Sequence, residues 1–334
     1  MTDTAARATS DAATGRTVAA GTRFLSDLQE AVSVAVVGAE KPLRLMTTAL
    51  LAGGHALVED VPGVGKTLLA RAFARALDLT FARVQGTPDL LPTDVTGSSI
   101  LDRGELRFVP GPVFTNVLLV DEINRATPRT QSALLEAMQE HQVSAEGETR
   151  PLPDPFLVLA TQNPVELEGT FALPEAQLDR FLLRIVMGYP TEEAERRIAR
   201  RHQEAAEPLE AVPMVAGKDQ IADLQDLGRR IQVADEVEEY AVALVRATRE
   251  HPDVRLGASP RSSVALYRTA QAWALLDGRG YVLPDDLGEV AHAVLDHRLL
   301  LDVDRELRGA TVAGVVADVL GQVPVPLPAQ AESA

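Results

Sequence analysis

Residues 60–67 read Asp-Val-Pro-Gly-Val-Gly-Lys-Thr, between an apolar run (His55–Glu59) and a segment of helical character (Thr67–Leu77). Glycines in such a loop let consecutive backbone amides turn toward an anion, and the helix N-terminus behind them adds partial positive charge. The spacing predicts a triphosphate cradle made by Pro62, Gly63, Val64, Gly65, Lys66, Thr67 and Leu68. Lys66 is expected to reach the β- and γ-phosphates, and the Thr67 hydroxyl to face Mg²⁺. This kind of loop usually opens with glycine where Asp60 stands, so the string departs from the pattern there. A second cluster is Val117-Leu-Leu-Val-Asp121-Glu122. A buried strand here would deliver two carboxylates to the sheet edge where open α/β folds hold ligands. Asp121 is expected to hold Mg²⁺ through its water shell, and Glu122 to polarise a water for in-line attack on the γ-phosphate. The plainer alternative is a strand end with two solvated acids. A third is Ala160-Thr-Gln-Asn163-Pro164. The Asn163 amide could orient the attacking water, or it could simply form a turn before proline.

These groups converge only if the elements around them form one sheet. Five short apolar runs occur between residues 55 and 186: His55–Glu59, Phe81–Gln85, Val117–Asp121, Phe156–Thr161 and Phe181–Val186. Two of them lack alternation, which suits strands buried on both faces of a parallel sheet. Helices are expected at Thr67–Leu77 and at Thr130–His141, where Leu134, Leu135 and Met138 share a face. The alternation predicts an α/β fold, a doubly wound parallel five-stranded sheet with helices on both faces. After Pro190 the pattern turns helical, with helices expected at Gln220–Ile231, Asp235–Glu250, Arg261–Leu276 and from Pro284. The expected organisation is a flexible arm (1–22), the α/β domain (23–189), a smaller all-α domain (190–322) and a flexible tail (323–334). Two charged hairpins, at about 99–109 and 142–152, interrupt the α/β domain and read on their own as ornamental loops or as functional inserts.

Composition limits the partners. The 334 residues carry 48 Asp and Glu against 32 Lys and Arg, a formal net charge of −16. Such a surface repels phosphate backbones, so nucleic acid is not an expected partner. The only lysines are Lys41, Lys66 and Lys218, and the chain has no cysteine, which removes disulfides, thiolate metal sites and cysteine nucleophiles. No apolar run approaches the roughly 18–20 residues of a membrane span. The N-terminal stretch lacks a basic-then-apolar leader pattern, and the expected location is cytoplasmic.

Loop, acidic strand end and strand-end Asn together resemble the AAA+ ATPases. Longer strings resemble the MoxR branch in particular: TPDLLPTDVTG (87–97), GELRFVPGPVFTNVLLVDEINRATPRTQSALLEAMQE (104–140), ATQNPVELEGTFALPEAQLDRFLL (160–183) and GASPRSS (257–263). The resemblance spans about residues 23–320 and implies a P-loop sheet followed by a helical lid. It implies that ATP and Mg²⁺ are bound, that Asn163 is sensor 1, and that Arg180 is an arginine finger acting on a neighbouring subunit. Arg261 would be sensor 2, reaching the γ-phosphate from the lid. Arg180 could instead pair with Asp179 or Glu175, and Arg261 could merely open a helix. Val37 and Gly38 resemble the adenine-contacting segment, with Ala39 where the family often has Gln. Arg125 and Arg129 could face the subunit boundary. The hairpins match the helix-2 insert and the pre-sensor-1 hairpin, which line or cap a ring's pore. The implied protein is a homo-oligomeric ring, read as a hexamer, that hydrolyses ATP to remodel a protein client. A von Willebrand factor A-domain protein is one candidate partner. The alternatives are a nucleic-acid-directed motor, a chelatase-type motor subunit and an ATP-loaded scaffold without turnover.

Overall fold

A computed structural model of the protein describes residues 19–59, 63–102, 105–145, 147–162, 169–201 and 208–326. These fall into two compact units, Gly21–Asp226 and the residues from Leu227 onward. The division comes later than the expected 189/190 boundary, because residues 208–226 are tied to the first unit. The Arg75 guanidinium donates to the carbonyls of Glu210 (2.8 Å) and Val212 (3.2 Å). The Val215 amide donates to the Ala76 carbonyl (2.7 Å), and the Gln225 side chain to that of Leu50 (2.7 Å). The expected arm is also shorter than 22 residues, since residues 19–33 form a helix, α1. Residues 1–18 and 327–334 lie outside the described residues.

In the first unit α2 (Glu40–Leu51) leads into β1 (Ala56–Glu59), α3 (Lys66–Ala76) and β2 (Phe81–Gln85). A short helix α4 (Pro92–Thr96) precedes the antiparallel hairpin β3 (Gly97–Asp102) and β4 (Glu105–Pro110). Then come β5 (Val117–Asp121), α5 (Pro128–Glu140) and the hairpin β6 (Gln142–Ala145) and β7 (Glu148–Pro151). The unit continues with β8 (Leu157–Gln162), α6 (Glu175–Leu178), β9 (Leu183–Ile185) and α7 (Glu192–Arg201). Five strands form one sheet in the order β2-β5-β8-β1-β9, every pairing parallel. All of β5 is buried, and so is β8 up to Thr161, which accounts for their runs of apolar residues without alternation. Each fully buried Leu or Val there contributes about 1.5–3 kcal/mol. The strand β2 lies at the edge, and its Arg83 and Gln85 are exposed.

A histidine fastens the start of β1 to β8. His55 is buried; its Nδ1 accepts the Val158 amide (3.1 Å), and its Nε2 therefore donates to the Met138 carbonyl (2.9 Å). The two hairpins are also linked: the Arg150 guanidinium stacks over the Phe108 ring at 4.0 Å, and Phe108 meets Phe114 edge-on at 5.8 Å.

The second unit is helical, as the sequence predicts. It takes over within α8 (Lys218–Arg229) and contains α9 (Asp235–Glu250), α10 (Pro260–Leu276) and α11 (Pro284–Leu295). Val237, Tyr240, Ala241, Leu244 and Val245 form the buried face of α9 at helical spacing. A small addition is the antiparallel ribbon of β10 (Val254–Leu256) and β11 (Leu300–Leu301), too short to register as an apolar run. The unit ends with α12 (Val303–Leu307) and α13 (Val312–Gln322).

Candidate active site

Because the five strands run parallel, their C-terminal ends share one edge. Glu59, Gln85, Asp121 and Gln162 end four of them, and register places Glu59 opposite Gln162 and Gln85 opposite Asp121. The glycine loop leaves β1 at this edge and enters α3. Gly65 caps α3 in left-handed backbone (φ 86°), a conformation in which glycine carries no side-chain penalty. An added Cβ at Gly63 or Gly65 would meet no atom within 4 Å among the described residues. Lys66, Thr67 and Leu68 form the first turn of α3, which holds no acidic residue. Asp60 and Pro62 lie outside the described residues, while Val64 is half-buried. Val37 and Gly38 precede α2, and an added Cβ at Gly38 would approach Ala194 of α7 to 3.3 Å.

At the end of β5 the chain turns sharply. Glu122 is left-handed (φ 53°, ψ 53°), a conformation costing a non-glycine residue about 1–2 kcal/mol, and it leads into a 3₁₀ turn at Ile123–Arg125. Two contacts hold the turn. The Thr161 hydroxyl accepts the Glu122 amide (2.9 Å), and the Gly86 amide donates to the Asp121 carbonyl (2.7 Å). A Cβ on Gly86 would come within 2.2 Å of the Glu122 carbonyl oxygen, so only glycine fits. The carboxylates are partnered. Asp121, 12% exposed, accepts Arg83 Nε at 2.5 Å. Glu122 Oε2 accepts Gln85 Nε2 at 3.1 Å and Arg125 Nη1 at 3.3 Å. Glu59 meanwhile pairs with Arg184 (3.0 Å) and accepts Gln162 Nε2 (2.7 Å).

The expected residues thus separate into groups. Gly63 to Leu68, Asp121 and Glu122 share one sheet edge. Asn163 lies outside the described residues, so its expected place beside Glu122 has no structural account. Arg180 follows α6, and its Nε is buried without a hydrogen-bond partner among the described residues. Arg261 is exposed in the first turn of α10 in the second unit, where its amide donates to the capping Ser259 hydroxyl (3.1 Å). Arg83, Gln85, Gly86 and Thr161 were not singled out from the sequence. Their one signal was two polar residues at alternate positions of an apolar run, Arg83 and Gln85, which marks an exposed strand face. No group of three or more His, Cys, Asp or Glu among the described residues could cage a metal ion alone. One carboxylate and one hydroxyl, Asp121 and Thr67, fit Mg²⁺, which takes its remaining ligands from phosphates and water.

Comparison with known proteins agrees with the fold. A family model described as "ATPase family associated with various cellular activities (AAA)" matches residues 55–183, and one described as "AAA lid domain" matches residues 246–316. Chaperone MoxR1 of Mycobacterium tuberculosis (strain ATCC 25618 / H37Rv) is 44% identical over 87% of this chain and 79% of its own length. The chain belongs to the MoxR family of AAA+ ATPases. Another relative, the uncharacterized protein YeaC of Bacillus subtilis (strain 168), is 47% identical over 91% of this MoxR-family chain and 95% of its own. A crystal structure of a proposed ATPase from Cytophaga hutchinsonii ATCC 33406 superposes with a TM-score of 0.88. It is 37% identical and covers 93% of this chain and 98% of its own. Within the MoxR-family chain, the AAA match contains Gly63–Thr67, Asp121, Glu122 and Arg180, and the lid match contains Arg261.

Proposed function

We propose that this MoxR-family chain is a Mg²⁺-dependent ATPase whose turnover, in a homo-oligomeric ring, remodels a protein client. The observation that carries the reading is the shared sheet edge: a glycine loop that leads into the N-terminus of α3, two strands from an acidic pair held at a fixed turn. The amides of Gly63 to Thr67 and the Lys66 ammonium would hold the phosphates, with Val37 and Gly38 beside the adenine. Thr67 and Asp121 would hold Mg²⁺, which would supply counter-charge to the bound phosphates. Glu122 would take the proton of the attacking water, and Asn163 would orient that water. Arg180 and Arg261 would face the charge that develops on the γ-phosphoryl oxygens.

As an arginine finger, Arg180 would complete the site of a neighbouring protomer, as a hexameric ring would supply. A protein client is supported by the Mycobacterium relative's designation as a chaperone. It is supported too by the cross-strand pair Leu101 and Leu106 on the first hairpin, 73% and 74% exposed. A von Willebrand factor A-domain protein remains the candidate partner, and the net charge of −16 disfavours nucleic acid. The location consistent with such a client is the cytoplasm; no described helix is long and apolar enough to cross a membrane.

The test is ATP hydrolysis by the purified chain over a range of concentrations, with and without Mg²⁺. Activity per chain should rise with concentration and vanish in EDTA. Hydrolysis that is absent, or equal per chain at every concentration, would overturn the reading.

A further inference from the structure

Asp121 already has a cation beside it. Arg83 Nε lies 2.5 Å from Asp121 Oδ2, while Arg83 Nη2 donates to Gln85 Oε1 at 3.3 Å. Gln85 in turn donates to Glu122 Oε2 at 3.1 Å, so two alternate residues of the edge strand β2 engage the two acids in one hydrogen-bonded chain. Support of the fold accounts for this pair only in part. The Arg83 side chain is 51% exposed, and an ion pair so open to water contributes at most about 1 kcal/mol. Asp121, by contrast, is 12% exposed, and a largely buried carboxylate needs a counter-charge whether or not a metal is present.

We propose that Arg83 is the exchangeable counter-ion of Asp121: it occupies the carboxylate before Mg²⁺·nucleotide arrives, and it must yield Oδ2 for the metal's water shell to take its place. The inference rests on the reading of Asp121 as a Mg²⁺-holding group and assigns Arg83 as a positioning residue that sets the metal requirement. The guanidinium has somewhere to go, because its Nη2 already reaches Gln85 and half its surface faces water. A monovalent cation within a few ångströms of a divalent one, in a site open to water, disfavours it by on the order of tenfold in affinity. The same guanidinium would offer positive charge to metal-free phosphates. Both effects act in one direction: Arg83 narrows the difference in affinity between Mg²⁺-loaded and metal-free nucleotide.

Equilibrium binding of a fluorescent, non-hydrolysable ATP analogue to the full chain, in excess MgCl₂ and in EDTA, measures that difference as an affinity ratio. Arg83→Gln is expected to raise the ratio about tenfold. Arg83→Lys, which keeps the charge, is expected to stay near the wild-type ratio. Arg83→Met provides a second neutral variant, and thermal melting checks that each protein is folded. An unchanged or lower ratio in the neutral variants, or a Lys variant that moves as far as Gln, overturns the proposal. If the wild-type chain itself binds the analogue equally with and without Mg²⁺, the reading of Asp121 as a metal group fails first and takes this inference with it.

Discussion

Glu122 combines a left-handed backbone with a carboxylate held by Gln85 and Arg125, so its position is built rather than incidental. Glu122→Gln keeps the shape and the Thr161 contact to its amide while removing the proton acceptor. We expect nucleotide binding to persist in that variant and steady-state turnover to fall 10²–10⁴-fold, the usual worth of a positioned base. Lys66→Ala should act differently: losing a charge-assisted contact worth about 1.5–3 kcal/mol weakens nucleotide binding roughly 10–100-fold, measurable by fluorescence titration. The meeting of Lys66, Thr67, Asp121 and Glu122 at one sheet edge was legible in the sequence, because they sit in contiguous strings beside strand ends. Arg83 was not. It meets Asp121 from 38 positions away, and such a pairing depends on the registry of two parallel strands that no local string specifies.

Among the elements, the strands were the most legible, since β5 and β8 are buried on both faces and must be apolar throughout. The helix α2 was missed. Nine of its twelve residues are buried, so it lacks the polar face that would have marked its period. Two tight contacts show how the elements are set against each other. Gly86 lets the chain leaving β2 pass against the turn at Glu122. Gly86→Ala should therefore force the two segments apart, cost about 1–3 kcal/mol and lower the Tm by several degrees in a thermal melt. His55 joins β8 to the end of α5 through both ring nitrogens. His55→Leu keeps the volume but strands a buried amide and a buried carbonyl. We expect a loss of about 2–4 kcal/mol, read as a lower midpoint in urea unfolding.

For the whole molecule, the change of pattern after Pro190 carried the order of sheet unit and helical unit, whereas the division between them falls later than that change. A polar helix such as α7 reads like the lid, yet residues as far as Asp226 belong with the sheet. Assembly is where Arg180 is tested. Arg180→Ala should leave nucleotide binding intact and lower turnover by the 10³–10⁵-fold typical of arginine fingers, and mixing it with Glu122→Gln chains should restore part of the rate. Restoration is expected because each variant supplies what the other lacks across a subunit boundary; a mixture no more active than its components would place Arg180 outside that role. The Arg150 guanidinium seated on Phe108 has a further consequence at this scale. Since a planar cation clasps one ribbon to the other, the two projections are coupled, and displacing the first pulls on the contact that reaches the second.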